Sequence, residues 1–300
     1  MDTGVYRAPD ERFDGLPGYN FQPHYLELEG ELAGLRAHHV DEGSGDPIVL
    51  LHGEPTWAYL YRKLVGPLST LGRVIVPDMI GFGRSDKVTD RSFYSYARHC
   101  DWLAQVMDRL ELERVTLVVH DWGGPIGLRW ATDHPERVAR LVVLNTGIYR
   151  GGESTAGPAW LAFREFVIAN PDLPVGDIIQ AATVTDVPAE VIAAYEAPYD
   201  GEASKAGAAT FPLLYPLEPG AAGAAEMMAT AEALTRWERP TLVCFSDSDP
   251  VFSPRSGERL AERVPGTERF VVIEGASHFL QEDAGERIAA EIAAFVERTP

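Results

Sequence analysis

Short, largely apolar runs alternate along this chain with stretches whose apolar residues recur at helical spacing. The strongest run is Val115, Thr116, Leu117, Val118 and Val119. Four of these five residues are β-branched, which suits a strand buried on both faces of a parallel sheet. Residues 48–51, 74–76, 138–144, 241–245 and 270–273 form similar runs and predict further buried strands. Residues 25–28 and 35–40 predict two shorter strands at the start of the sheet. Leu103, Val106 and Leu110 predict a helix over roughly 94–110, and Ile288, Ile292, Phe295 and Val296 predict the last one. A helix over 123–134 follows the central run. Its Pro125 is tolerated in the first turn, where N–H groups have no intrahelical partner. This order of strand, helix, strand, helix predicts a doubly wound, mostly parallel α/β sheet.

Between residues 148 and 233 the alternation breaks into Pro-interrupted helical pieces, including 160–168, 188–195 and 221–234, with no clear strand. This segment is expected to be a helical cap inserted between two strands of a core made of 1–147 and 234–300. Such a cap would exclude water and line a pocket.

Composition narrows the partners. The chain has 300 residues, 45% of them hydrophobic, enough for one large core. Its 26 basic and 45 acidic residues give a formal charge of −19, which argues against nucleic acid or an anionic membrane as partner. A neutral substrate is not excluded. The polar start lacks a secretory pattern, and no run approaches the roughly 20 apolar residues of a membrane span, so a cytoplasmic location is expected. Cys100 and Cys244 lack metal-type spacing and are expected to be small buried hydrophobes; no metal site is predicted.

The central run ends in His120, Asp121, Trp122, Gly123, Gly124, where the glycines allow a sharp turn from strand to helix. Such a turn holds one side chain up at the end of the sheet. In α/β-hydrolases that side chain is the nucleophile, usually Ser in Gly-x-Ser-x-Gly; here the matching positions run from Val119 to Gly123 and place Asp121 there. A carboxylate nucleophile attacks carbon and becomes an ester that water must cleave. Alone, Asp121 could equally be a strand-end carboxylate capping the next helix. However, Asp121, an acid at Asp247 or Asp249, and His278 follow predicted parallel strands in the order nucleophile, acid, histidine. A base at His278 would take a proton from water while the acid fixes its tautomer. The loop His52-Gly53-Glu54-Pro55 offers the backbone N–H of Glu54, and the turn that of Trp122, as an oxyanion hole. Asp78, in the Gly-rich loop 77–86, is expected to tie down loop amides; the loop lacks the ending of a phosphate loop.

The runs His52-Gly53-Glu54-Pro55-Thr56-Trp57 with Tyr59-Leu60-Tyr61-Arg62-Lys63, Gly81-Phe82-Gly83-Arg84-Ser85-Asp86-Lys87, Asp121-Trp122-Gly123-Gly124 and 275–282 together resemble the haloalkane dehalogenases. The likeness extends from about residue 10 onward and is greatest to the subgroup with Glu after His-Gly and the acid after the cap. It implies that Asp121 displaces halide from an sp³ carbon and that the Trp122 indole N–H receives the departing anion. It also implies that Asp249 is the acid and that no cofactor is needed. The substrate would be small, apolar and halogenated, and the protein a monomer or small homo-oligomer. The subgroup carries a second halide-binding Trp in a Phe-x-x-Trp arrangement. Here Trp160, Leu161, Ala162 and Phe163 reverse the order, leaving Trp160 as the candidate. Epoxide hydrolases share Asp-Trp-Gly and the same triad, and require cap tyrosines, for which Tyr149, Tyr195, Tyr199 and Tyr215 are available. A non-catalytic binding scaffold is the remaining alternative.

Overall fold

The computed structural model describes residues 4–152 and 156–299. In chain order its elements begin with strands β1 (Val5–Tyr6), β2 (His24–Glu27), β3 (Arg36–Glu42) and β4 (Pro47–Leu51), then helix α1 (Arg62–Ser69), β5 (Arg73–Pro77) and β6 (Lys87–Val88). Next come α2 (Tyr96–Arg109), β7 (Val115–His120), α3 (Gly123–Asp133) and β8 (Val138–Leu144). Five helices follow: α4 (Pro158–Ala169), α5 (Val175–Ala181), α6 (Ala189–Glu196), α7 (Phe211–Leu214) and α8 (Ala224–Ala233). The chain closes with β9 (Thr241–Ser246), α9 (Pro254–Arg263), β10 (Thr267–Ile273) and α10 (Leu280–Arg298).

Eight strands form one sheet in the order β10-β9-β8-β7-β4-β5-β3-β2. The strands from β10 to β5 are parallel, whereas β3 runs antiparallel to both β5 and β2. The central pair β4 and β7 is buried at every position, which is why both read as largely apolar runs. Because parallel strands point the same way, the ends of β7, β9 and β10 bring Asp121, Asp249 and His278 to one edge of the sheet.

Four elements were not legible in the hydrophobic pattern. The two-residue strands β1 and β6 pair with each other, Val5 opposite Val88. Helix α1 holds Gly66 and Pro67 in its interior, and α9 has too few apolar residues for a periodic signal. At Gly257 in α9, an added Cβ would run into Phe245 and Phe270, so the helix backbone lies directly on the sheet. Cys244 is buried on β9, but Cys100, expected in the interior, is only half-buried on α2.

Between β8 and β9 the described residues form helices and no strand. A buried ion pair ties this segment to the sheet domain: Arg62, at the start of α1, donates to Glu282 of α10, with Nη2 at 2.9 Å from Oε2. The Tyr195 hydroxyl of α6 donates to the same carboxylate. Among the described residues no helix is long and apolar enough to cross a membrane.

Candidate active site

Asp121 has φ +47°, a left-handed conformation that L residues rarely adopt and that the surroundings must enforce. Its N–H donates to Asn145 O at 3.1 Å, and its carbonyl accepts from Gly124 N at 2.9 Å and Thr146 Oγ1 at 2.6 Å. A Cβ at Gly124 would collide with Thr146, and one at Gly53 with the Asp121 carboxylate itself. The loop after β4 is thereby pressed against the turn. Glu54 N–H donates to Asp121 Oδ1 at 2.8 Å, and the Trp122 N–H also bonds this carboxylate. Burial pushes the Asp121 pKa up; nearby His278 and the two amides counter it only in part.

His278 lies between two carboxylates. Its Nδ1–H donates to Asp249 Oδ2 at 2.9 Å, and its Nε2 stands 3.7 Å from Asp121 Oδ2. The second distance is too long for a direct hydrogen bond. Burial pulls the His278 pKa down, but the charge and hydrogen bond of Asp249 outweigh it and the net shift is upward. Asp249 responds in the opposite sense. Burial alone would raise its pKa, but His278 and the amides of Val251 and Phe252 hold the carboxyl below its usual range. Asp247 is exposed and accepts from Gly275 N at 3.0 Å, bracing the loop that leads to His278 rather than touching the ring.

That loop is held by two residues the sequence did not single out for this role. Asn145 Nδ2 donates to Ser246 Oγ at 2.7 Å and to Ser277 O at 3.1 Å, while its Oδ1 accepts from Ser246 N at 2.9 Å. His120 Nε2–H donates to the His278 carbonyl at 2.9 Å; burial first, then His278, push the His120 pKa down to about 3 and keep it neutral. A polar residue directly after the apolar run 141–144 of β8 was the available signal for Asn145. Asp78 accepts from Ala58 N at 2.7 Å, Arg84 N at 2.8 Å and His38 Nδ1 at 2.7 Å, fixing the two loops beside the site.

Two cavities meet at Asp121 and Trp122. The larger, about 580 Å³, is bordered by Glu54, His278 and apolar side chains of α4 and α5. The smaller, about 220 Å³, runs between α9 and the loop after β8. Trp160 borders both, its ring 5.2 Å from that of Tyr215. Phe163 borders the larger one alone. Of the four tyrosines considered for epoxide opening, only Tyr215 borders either cavity. Tyr149 donates to Gly152 O, Tyr195 to Glu282 and Tyr199 to Pro55 O.

Glu54 contributes a side chain as well as its amide. It is buried, its Oε1 lacks a partner among the described residues, and burial with the charge of Asp121 drives its pKa well above the usual range. Both influences favour the neutral form of Glu54 beside the carboxylate.

Sheet order, strand-end turn and inserted helices define an α/β-hydrolase, and residues 46–185 match the family model described as alpha/beta hydrolase fold. The chain is 43% identical over 303 residues to a haloalkane dehalogenase of Psychrobacter cryohalolentis, spanning 99% of each chain. It is 44% identical over 296 residues to one of Mycobacterium marinum, spanning 96% of this chain and 98% of that one. The tetrameric structure of a haloalkane dehalogenase from Paraglaciecola agarilytica NO2 superposes with a TM-score of 0.91 at 32% identity, covering 97% of this chain and 98% of the other. The chain belongs to the haloalkane dehalogenases, hydrolases acting on carbon–halide bonds. These similarities do not favour the epoxide hydrolase or the non-catalytic scaffold.

Proposed function

We propose that the dehalogenation runs through an ester on Asp121, with Asp121, His278 and Asp249 as the catalytic triad. Oδ1 is occupied by the amide of Glu54, which leaves Oδ2 to attack the halogen-bearing carbon. The carbon–halogen bond breaks with its electron pair on the halide, and the Trp122 indole N–H, joined by Trp160, receives the anion. Indole suits this task because it only donates. His278 Nε2 then takes a proton from water, whose oxygen attacks Cγ of Asp121. The amides of Glu54 and Trp122 hold the oxyanion. Collapse breaks the bond between Cγ and the alkyl oxygen, the alkoxide takes the proton from His278, and Asp121 releases the remaining proton to solvent. The products are an alcohol, a halide ion and a proton.

The observation that carries this reading is the position of His278, donating to Asp249 at 2.9 Å while its other nitrogen faces Asp121 at 3.7 Å. The helical segment 148–233 serves as the cap, and its apolar larger cavity is suited to a small neutral substrate. The test is halide release from 1,2-dibromoethane, with an epoxide supplied in parallel. Bromide release by the unaltered protein and none by Asp121→Asn supports the reading, whereas diol from the epoxide without bromide release contradicts it.

A further inference from the structure

The two cavities differ in charge as well as size. Among the described residues no lysine or arginine borders the larger one, where Asp177 stands at an exposed position. The smaller is bordered by Arg150, from the loop after β8, and by Arg259 and Arg263, one turn apart on α9. All three are exposed, and none has an ion-pair partner among the described residues. Asp121 is the only acidic residue among the described ones bordering that cavity. Three unneutralised guanidinium groups around one opening stand out in a chain of net charge −19.

A dehalogenase must take in a neutral apolar molecule and discharge a monoanion. The halide formed at Trp122 faces one arm that would strip its hydration without offering compensating charge, and another lined by cationic donors. Charge of one sign in a confined passage raises both the local concentration and the transit rate of the opposite ion. Guanidinium is also weakly hydrated, so it exchanges water for an anion readily. We propose that the arginine-lined arm is the route by which halide leaves Trp122, so that substrate and halide use different arms. This inference rests on the assignment of Trp122 to the halide.

Bromide binding followed by quenching of tryptophan fluorescence in stopped flow tests the route. Two variants are compared with the unaltered protein: Arg150→Gln/Arg259→Gln/Arg263→Gln, which removes the charge, and Ser256→Trp, which narrows the same arm without changing charge. At low ionic strength both are expected to slow bromide entry and exit together by about fivefold, the triple variant through lost electrostatic steering and Ser256→Trp through the narrower passage. The equilibrium constant should move less than the rates, and single-turnover formation of the Asp121 ester should stay unchanged. Added sulfate should shrink the deficit of the triple variant and leave that of Ser256→Trp in place. Unchanged bromide rates in both variants overturn the proposal. So does a loss of turnover on 6-bromohexanoate with normal bromide rates, which would make the arm a carboxylate subsite. If the unaltered protein frees no halide and bromide causes no quenching, the Trp122 assignment fails first and takes the route with it.

Discussion

At His278, burial favours the neutral ring while Asp249 favours the charged one, and Asp249 prevails. The proposed base must be neutral to accept a proton from water, so turnover should fall as pH drops through a value above the ordinary 6.5 of histidine. Asp249→Asn removes the raising influence and frees the ring tautomer. Its kcat should drop by about 10²- to 10⁴-fold, with the acidic limb of the profile displaced to lower pH. An unmoved limb in a kcat–pH titration would separate Asp249 from this role. Glu54 carries the opposite consequence, for stability. Its folded pKa is raised, so its contribution to folding is complete below about 4.5 and is lost as pH rises through the folded value. Glu54→Gln should therefore raise Tm at pH 8 and leave it unchanged near pH 4; equal Tm values at pH 8 would contradict the buried neutral acid. Residue-scale legibility followed local order. Asp121 and His278 stood out because each ends a strand signal, whereas Asp247 and Asp249 share one loop and differ only in burial, a tertiary property. The Glu54 side chain was hidden for the same reason.

Among the elements, the turn after β7 works because the loop after β4 and the start of α3 approach it more closely than a side chain would allow. Gly53→Ala puts a methyl group into the Asp121 carboxylate and must displace it from the attack geometry. We expect ester formation to slow by about 10²-fold with an unchanged circular dichroism spectrum; a normal single-turnover rate would show that this packing does not position the nucleophile. The apolar runs of the sheet were legible because a strand covered on both faces tolerates few polar residues. Helices α1 and α9 were not: Gly66 and Pro67 interrupt the short Leu64, Val65, Leu68 stripe of α1, and the one fully buried residue of α9 is Gly257.

For the molecule as a whole, the helical segment showed in the sequence only as a gap in the strand pattern, and its attachment to the sheet did not show at all. Arg62 and Glu282 are 220 residues apart and Tyr195 is 87 from Glu282, so nothing local links them. Burial raises the Glu282 pKa, but Arg62 first, then Tyr195 and Lys63, pull it below its usual value. The pair thus stabilises the fold above about pH 4.5 and loses that contribution as pH falls through the lowered value. Glu282→Ala leaves Arg62 buried without its partner, and should cost about 3–5 kcal/mol in urea unfolding at pH 7. A loss under 1 kcal/mol would mean that the segment is held elsewhere.

The central claim is that Asp121 becomes covalently alkylated and that His278 is required to release it. The most direct measurement is the intact mass of His278→Ala after incubation with 1-bromobutane, followed by peptide mapping. A stoichiometric gain of one butyl group on Asp121, with one bromide freed per chain, is the predicted result. An unmodified protein, or an adduct on any other residue, would contradict it.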